Sequence, residues 1–199
     1  MSIEFLREHI EGVDIYILDQ ILKGRYKQAD KILDAGCGSG RNLKWFYKSG
    51  YKVYGIDENL DDIKHCQDIY RNQKAHFKQA TLENIPFEAN SFDHVLCNAV
   101  LHFAEDLSHY LKMFEELFRI LKPGGSLFIR IASNFGMEND VKLIEDGVYR
   151  LLDGSKRFLL TQQILNDLLN RKDIKFLEDL KTTIVYNKRC MSTLVIQKE

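Results

Sequence analysis

The chain has 199 residues, 45% of them hydrophobic, with 28 Lys and Arg against 29 Asp and Glu and a formal charge of −1. That length suits one domain with a substantial core, and the charge balance argues against a partner made of phosphate backbone or anionic membrane. Cys37, Cys66, Cys97 and Cys190 share no C-x-x-C spacing, which excludes a disulfide scaffold or paired-cysteine zinc site and leads us to expect reduced thiols in a cytoplasmic protein.

Residues 1–8 are charged and lack the apolar core of a signal peptide. No apolar run approaches the ~18 residues of a membrane span. Pro86 and Pro123 are the only prolines, and no linker, repeat or low-complexity tract divides the chain.

In chain order, residues 3–22 place Ile3, Leu6, Ile10, Val13, Ile17 and Ile21 on one helical stripe. Residues 31–34 read as a short strand that runs into the glycine cluster 36–40. A helix over 42–48 stops at Gly50, a helix-ending residue. Residues 53–57 form a second strand, and Asn59 caps a helix to about residue 71. Residues 75–79 and 92–98 are the third and fourth strands. Residues 107–121 are an amphipathic helix closed by the turn 122–125. Residues 126–132 are a fifth strand. Residues 134–160 are ambiguous, with a candidate helix near 140–152, and residues 161–170 are helical. Two final strands, 182–186 and 192–197, are joined by a turn too short for a parallel crossover, so they must be antiparallel. Strands alternating with helices imply an α/β fold, its mostly parallel sheet covered on both faces.

The most informative segment is Asp34-Ala35-Gly36-Cys37-Gly38-Ser39-Gly40-Arg41. Glycines between a strand and a helix permit unusual backbone angles and let a ligand approach the main chain. The second strand ends in Asp57, 17 residues past Gly40, where an acid can accept hydrogen bonds from a ribose diol. Dinucleotide enzymes want G-x-G-x-x-G with a small third position. Here that position is the bulky Arg41, and Asp34 adds a carboxylate that a pyrophosphate disfavours. A ligand with an ammonium and no phosphate tolerates it better.

With these motifs the chain resembles the class I S-adenosylmethionine-dependent methyltransferases, over residues 13–199. Its motif order is most similar to the small bacterial group that includes the tellurite-resistance-type enzymes. The carriers are ILDAGCGSGRN (32–42), VYGIDEN (53–59), LENIPFEANSFDHVLCNAVLHF (82–103) and LKPGG (121–125). The resemblance implies a Rossmann-like, seven-stranded sheet whose last strand is inserted antiparallel, matching the terminal hairpin. It implies S-adenosylmethionine as cofactor and S-adenosylhomocysteine as product. Gly36, Gly38 and Gly40, with Cys37 as a small loop residue, would line the methionine and ribose portions. Asp34 would organise the loop or face the methionine amino group. Asp57 would hold the ribose, and Glu58 or Ile56 would flank the adenine. Thr81 stands where many relatives have an acid for the adenine amino group, so Thr81 and the Leu82 N–H mark the adenine pocket. Asn98 and Ala99 would sit beside the methyl-bearing sulfur.

Methyl transfer from a sulfonium needs mostly alignment and exclusion of water, so no fixed catalytic signature is expected. His102, just after the fourth strand, is either a general base or a packing and capping residue. Arg130, Arg150, Arg157 and Arg189 either gather to grip a carboxylate or phosphate or pair with surface acids. Phe135, Met137 and Tyr149 are either an apolar lid or core. Arg25 and Tyr16 precede the first strand, and Arg25 is a candidate contact for the methionine carboxylate. Residues 1–30 would cap the site and 133–160 would form a lid, which leaves room for a small-molecule methyl acceptor. Neither a nucleic-acid nor a membrane partner is expected, and the chain would be a monomer or homodimer. The competing readings are a catalytically inactive binding subunit, aminopropyl transfer on the same fold, and an NAD-dependent enzyme.

Overall fold

The computed structural model describes residues 2–199. The N-terminal apolar stripe breaks into two helices, α1 (Ile3–Ile10) and α2 (Ile15–Leu22). The single helix over residues 3–22 is therefore corrected, and the break has two causes. Gly12 adopts φ +83°, a left-handed backbone that glycine takes without penalty. Asp14 then starts a new helix by accepting the Tyr16 N–H at 2.9 Å. Helix α1 buries no side chain, whereas α2 buries Ile17 and Gln20.

Strand β1 (Lys31–Ala35) runs into the glycine loop. A 3-10 turn, Arg41–Leu43, then leads into the short helix α3 (Lys44–Lys48). Strand β2 (Lys52–Asp57) is followed by α4 (Leu60–Ile69), whose Asn59 cap accepts the Asp61 N–H at 2.9 Å. Strands β3 (Phe77–Gln79) and β4 (Phe92–Asn98), helix α5 (Leu107–Ile120) and strand β5 (Leu121–Ser133) complete the parallel half of the fold. The parallel order is β3-β2-β1-β4-β5.

Residues 140–152 are not a helix. They belong to a three-stranded antiparallel meander of β6 (Lys142–Glu145), β7 (Val148–Arg150) and β8 (Lys156–Phe158). Asp146 and Gly147, at φ +37° and +87°, turn the first hairpin. A Cβ on Gly147 would lie 2.4 Å from the Phe158 ring, so the glycine is required by packing as well as by the turn. Helix α6 (Gln162–Leu169) is capped by Thr161. A three-residue strand absent from the sequence expectation, β9 (Ile174–Phe176), follows it. Strands β10 (Lys181–Val185) and β11 (Arg189–Lys198) form the terminal hairpin, turned by Tyr186 and Asn187 at φ +51° each. Strand β11 inserts antiparallel between β5 and an outer edge shared by β10 and β9, giving eight strands rather than seven.

Successive strand residues feed opposite faces. Leu33, Val95 and Ile129 join α5 and α6 in one core, while Ile32, Leu96 and Phe128 join α2, α3 and α4 in the other. Because both faces are covered, β1, β4 and β5 carry adjacent apolar residues, Ile32-Leu33, Val95-Leu96-Cys97 and Leu127-Phe128-Ile129, rather than a strict alternation. Leu151, Tyr149 and Met191 help pack the meander against the end of β5 at Ala132. Met137 is buried and Phe135 is partly buried against the main core. No helix among the described residues is long and apolar enough to cross a membrane.

Candidate active site

The loop after β1 is held by its neighbour strand. The Gly36 and Cys37 N–H groups both donate to the Ile56 carbonyl at 2.9 Å. The Gly38 N–H donates to Asp57 Oδ2 at 2.8 Å, and the Asn59 N–H donates to Oδ1 at 2.9 Å. Gly36, Gly38 and Gly40 have φ of +78°, +48° and +78°. A Cβ on Gly36 would meet Val100 Cγ2 at 2.3 Å, whereas one on Gly38 would meet nothing within 4 Å. Gly36, Gly38 and Asp57 open onto a cleft of about 560 Å³ at the C-terminal ends of β1, β2 and β4, the usual place for a ligand in an open α/β sheet.

Of the residues expected in the cofactor site, Gly36, Gly38, Asp57, Glu58, Thr81, Leu82, Asn98 and Ala99 all line this cleft. Cys37 and Gly40 do not. The Cys37 side chain turns toward Gly55 of β2, and Gly40 is packed against Tyr70 and Cys66 of the helical layer. Asp34 lies beneath the loop, fully buried, with neither carboxylate oxygen hydrogen-bonded. Burial, with the nearby Asp57 charge, pushes its pKa up to about 7 against the opposing pull of Arg41. Seven lining residues were not among the expected site residues: Ala80, Glu83, Val100, Phe103, Glu105, His109 and Met113. The Glu105 N–H donates to His109 Nδ1, so Nε2 bears the proton that bonds Glu83.

At the inner end of the cleft, Ala99 takes φ +64°, a strained angle for a residue with a Cβ. Its neighbour Asn98 donates from Nδ2 to Asp14 Oδ2 at 3.4 Å, and Asn98 Oδ1 is buried without a partner. Arg130 Nη1 donates to the same Asp14 oxygen at 3.3 Å and stacks over the Tyr16 ring. The cap of α2 thereby ties the N-terminal segment to the ends of β4 and β5. Asp14 escaped the sequence reading; a capping acid two residues past Gly12 was the available signal.

A second cavity, of about 400 Å³, shares Ala99 and Phe103 with the cleft. It collects His102, Arg130, Arg157 and Arg189. Arg150 is exposed on β7 and is not part of it. His102 is buried, and its Nδ1 accepts the Ala132 N–H at 3.4 Å. Burial and the charges of Arg157 and Arg130 push its pKa down to about 4. Arg25 is remote from both spaces. It donates to Glu178 and the Leu177 carbonyl and lines a depression at the opposite end of the sheet. The expected contact with a methionine carboxylate is therefore withdrawn.

The methyltransferase-domain family matches residues 33–129. The malonyl-[acyl-carrier protein] O-methyltransferase of Salmonella typhimurium is 34% identical over 105 residues, 53% of this chain and 39% of that protein. The mitochondrial ubiquinone biosynthesis O-methyltransferase of Mus musculus is 34% identical over 127 residues, 57% of this chain and 34% of that protein. The chain thus spans less than two-fifths of the length of these curated relatives. A SAM-dependent methyltransferase from Methanosarcina mazei superposes with a TM-score of 0.70 at 23% identity, covering 89% of this chain and 96% of that one. One from Clostridium acetobutylicum superposes at 0.68 with 14% identity, covering 98% and 97%. Residues 33–129 thus match a methyltransferase domain, and the chain shares the fold of solved S-adenosylmethionine-dependent methyltransferases.

Proposed function

We propose that the chain binds S-adenosylmethionine in the glycine-loop cleft and transfers its methyl group to a small molecule in the adjoining cavity. The observation that carries this reading is the clasp between the Gly38 N–H and Asp57. Each Asp57 oxygen accepts one backbone N–H. Its remaining lone pairs are left for a vicinal diol at the cleft wall. The orphaned carboxyl of Asp34 under the loop fits a ligand with an ammonium group. Thr81, Leu82 and Glu58 border the part of the cleft proposed for adenine.

The cofactor, when bound, supplies a methyl group on a positively charged sulfur that leaves as a neutral thioether. The chain's own contribution is placement and exclusion of water. Ala99, where cleft and cavity meet, and its neighbour Asn98 would align acceptor with sulfur. Helices α1 and α2 and the meander β6–β8 would cover the site. His102 is poorly suited to act as a base, because its pKa is low and its free nitrogen, Nε2, bears the proton once Nδ1 accepts from Ala132. We assign it instead the role of a neutral hydrogen-bond donor to the acceptor. Aminopropyl transfer fits less well: the cavity offers one carboxylate, Asp153, against three guanidinium groups, the wrong sign for a polyamine.

The test is isothermal titration of S-adenosylmethionine and S-adenosylhomocysteine into wild type and Asp57→Ala. Micromolar binding that the substitution weakens at least tenfold (about 1.4 kcal/mol) is expected. A folded wild type that binds neither ligand would sink the reading.

A further inference from the structure

The second cavity has a definite electrostatic character. Arg130 enters it from β5, Arg157 from β8 and Arg189 from the start of β11. The arginines that form ion pairs among the described residues are Arg25, Arg119, Arg130 and Arg171. Arg157 and Arg189 are not among them. Arg157 donates to the Lys156 carbonyl and lies over the Phe103 ring at 4.8 Å. Arg130 is only partly satisfied by Asp14, since its Nε is buried without a hydrogen-bond partner. The one carboxylate in the lining, Asp153, is turned onto the Ser155 N–H and hydroxyl, at 3.0 and 2.6 Å. Counting Asp14 against Arg130 and Asp153 against one of the others, one positive charge remains uncompensated.

Apart from His102 and Ser155, the rest of the lining is apolar. Leu151, Val185, Met191, Ala132 and Phe103 contribute hydrocarbon or aromatic surface. His102 remains uncharged near neutral pH in this positive surrounding and can donate from Nε2.

We propose that this cavity is the acceptor site and takes an organic anion: a carboxylate or phosphate group on an apolar body, its oxygens held by Arg157, Arg189 and Arg130. The proposal rests on the methyltransferase reading, because only that reading makes the cavity an acceptor site. The anion serves as anchor and not as methyl-accepting atom. Oxygens engaged by guanidinium groups have their lone pairs occupied and their charge neutralised, which makes them poor nucleophiles. The nucleophile is then a different group of the same molecule, presented at the Ala99 junction. Guanidinium forks match carboxylate and phosphate geometry alike, so the cavity's chemistry is shared by both, and experiment separates them.

The experiment titrates phenylacetate, phenyl phosphate and the uncharged isostere phenylacetamide into the full chain, with and without saturating S-adenosylhomocysteine. Binding of at least one anion at least tenfold tighter than the amide is expected. Arg189→Gln and Arg157→Gln should each reduce that preference several-fold, and the exposed Arg189 should be replaceable without loss of fold. Arg189→Lys should retain part of it. Affinity for S-adenosylhomocysteine should stay within about twofold in all three variants, because neither arginine lines the cofactor cleft. Preference for phenylacetate identifies a carboxylate, and preference for phenyl phosphate a phosphate. Equal binding of acid and amide, anion binding indifferent to both arginines, or no anion binding at millimolar concentration overturns the proposal. Failure of S-adenosylhomocysteine to bind while arginine-dependent anion binding persists overturns the methyltransferase reading and leaves an anion site in place.

Discussion

Asp34 is the residue whose environment is least comfortable. Its carboxyl is fully buried, lacks hydrogen bonds and has a pKa pushed up to about 7, mainly by burial. The unfolded chain ionises this group near pH 4, while the fold keeps it protonated to about 7. Between those values the folded state binds the extra proton, so stability from this group falls as pH rises across that window. Asp34→Asn should remove that slope, as read by urea denaturation across the same range. A ligand ammonium placed against the carboxyl would reverse its titration and release the proton. Titration of S-adenosylhomocysteine near pH 6 in buffers of different ionisation enthalpy should therefore report about one proton released per ligand, fading by pH 8. Asp34→Asn should abolish the release. Binding without proton release in wild type would confine Asp34 to organising the loop.

At the scale of elements, the glycine loop separates two jobs that one motif combines. Gly36 has positive φ and no room, because a Cβ would collide with Val100 at 2.3 Å. Gly38 has positive φ and open space. Gly36→Ala should then destabilise the fold by roughly 2–4 kcal/mol, strain and overpacking together. Gly38→Ala should cost only about 1 kcal/mol, the left-handed penalty of an alanine, while its methyl narrows the cleft and weakens cofactor binding. Denaturant midpoints and titration calorimetry on the two variants check the contrast; equal stability loss in both would refute it. This loop was readable in the sequence because its glycines and Asp57 sit at strand ends only residues apart from the strands that place them. Strands β1, β2 and β4 were readable for a related reason: each carries adjacent apolar residues, Ile32-Leu33, Val53-Tyr54 and Val95-Leu96-Cys97, that feed both faces of a covered sheet. Helix α5 declared itself by its apolar period, and the structure adds the Asp106 cap. Elsewhere local pattern misled. The stripe over residues 3–22 keeps helical spacing across Gly12, and only the φ there and the Asp14 cap divide it. The segment 140–152 suggested a helix, yet Gly147 turns it into a hairpin packed on Phe158. Strand β9 is three residues long and exists because the end of β11 offers a free edge. The parts of the site that escaped are those made by distance: Asp14 meets Asn98 across 84 residues and Arg130 across 116.

For the whole molecule, the cleft is walled by chain segments that the sheet alone brings together. The loop at Gly36, the end of β2 at Asp57, the stretch at Thr81–Leu82–Glu83 and the end of β4 at Asn98 each come from a different crossover. Unfolding scatters them, so a ligand that bridges them binds the native state and not the unfolded chain. Mass action then fixes the size of the effect. At a free concentration one hundred times the dissociation constant, S-adenosylhomocysteine should stabilise wild type by about 2.7 kcal/mol. For a chain of this length that raises Tm by roughly 5–11 °C. Asp57→Ala, binding tenfold more weakly, should gain only about 1.4 kcal/mol at the same concentration, and its Tm shift should shrink to about half. Scanning calorimetry of both proteins, each with and without ligand, makes the comparison without any knowledge of the methyl acceptor. Equal shifts in the two proteins would mean that the nucleoside is held somewhere other than the wall that Asp57 builds.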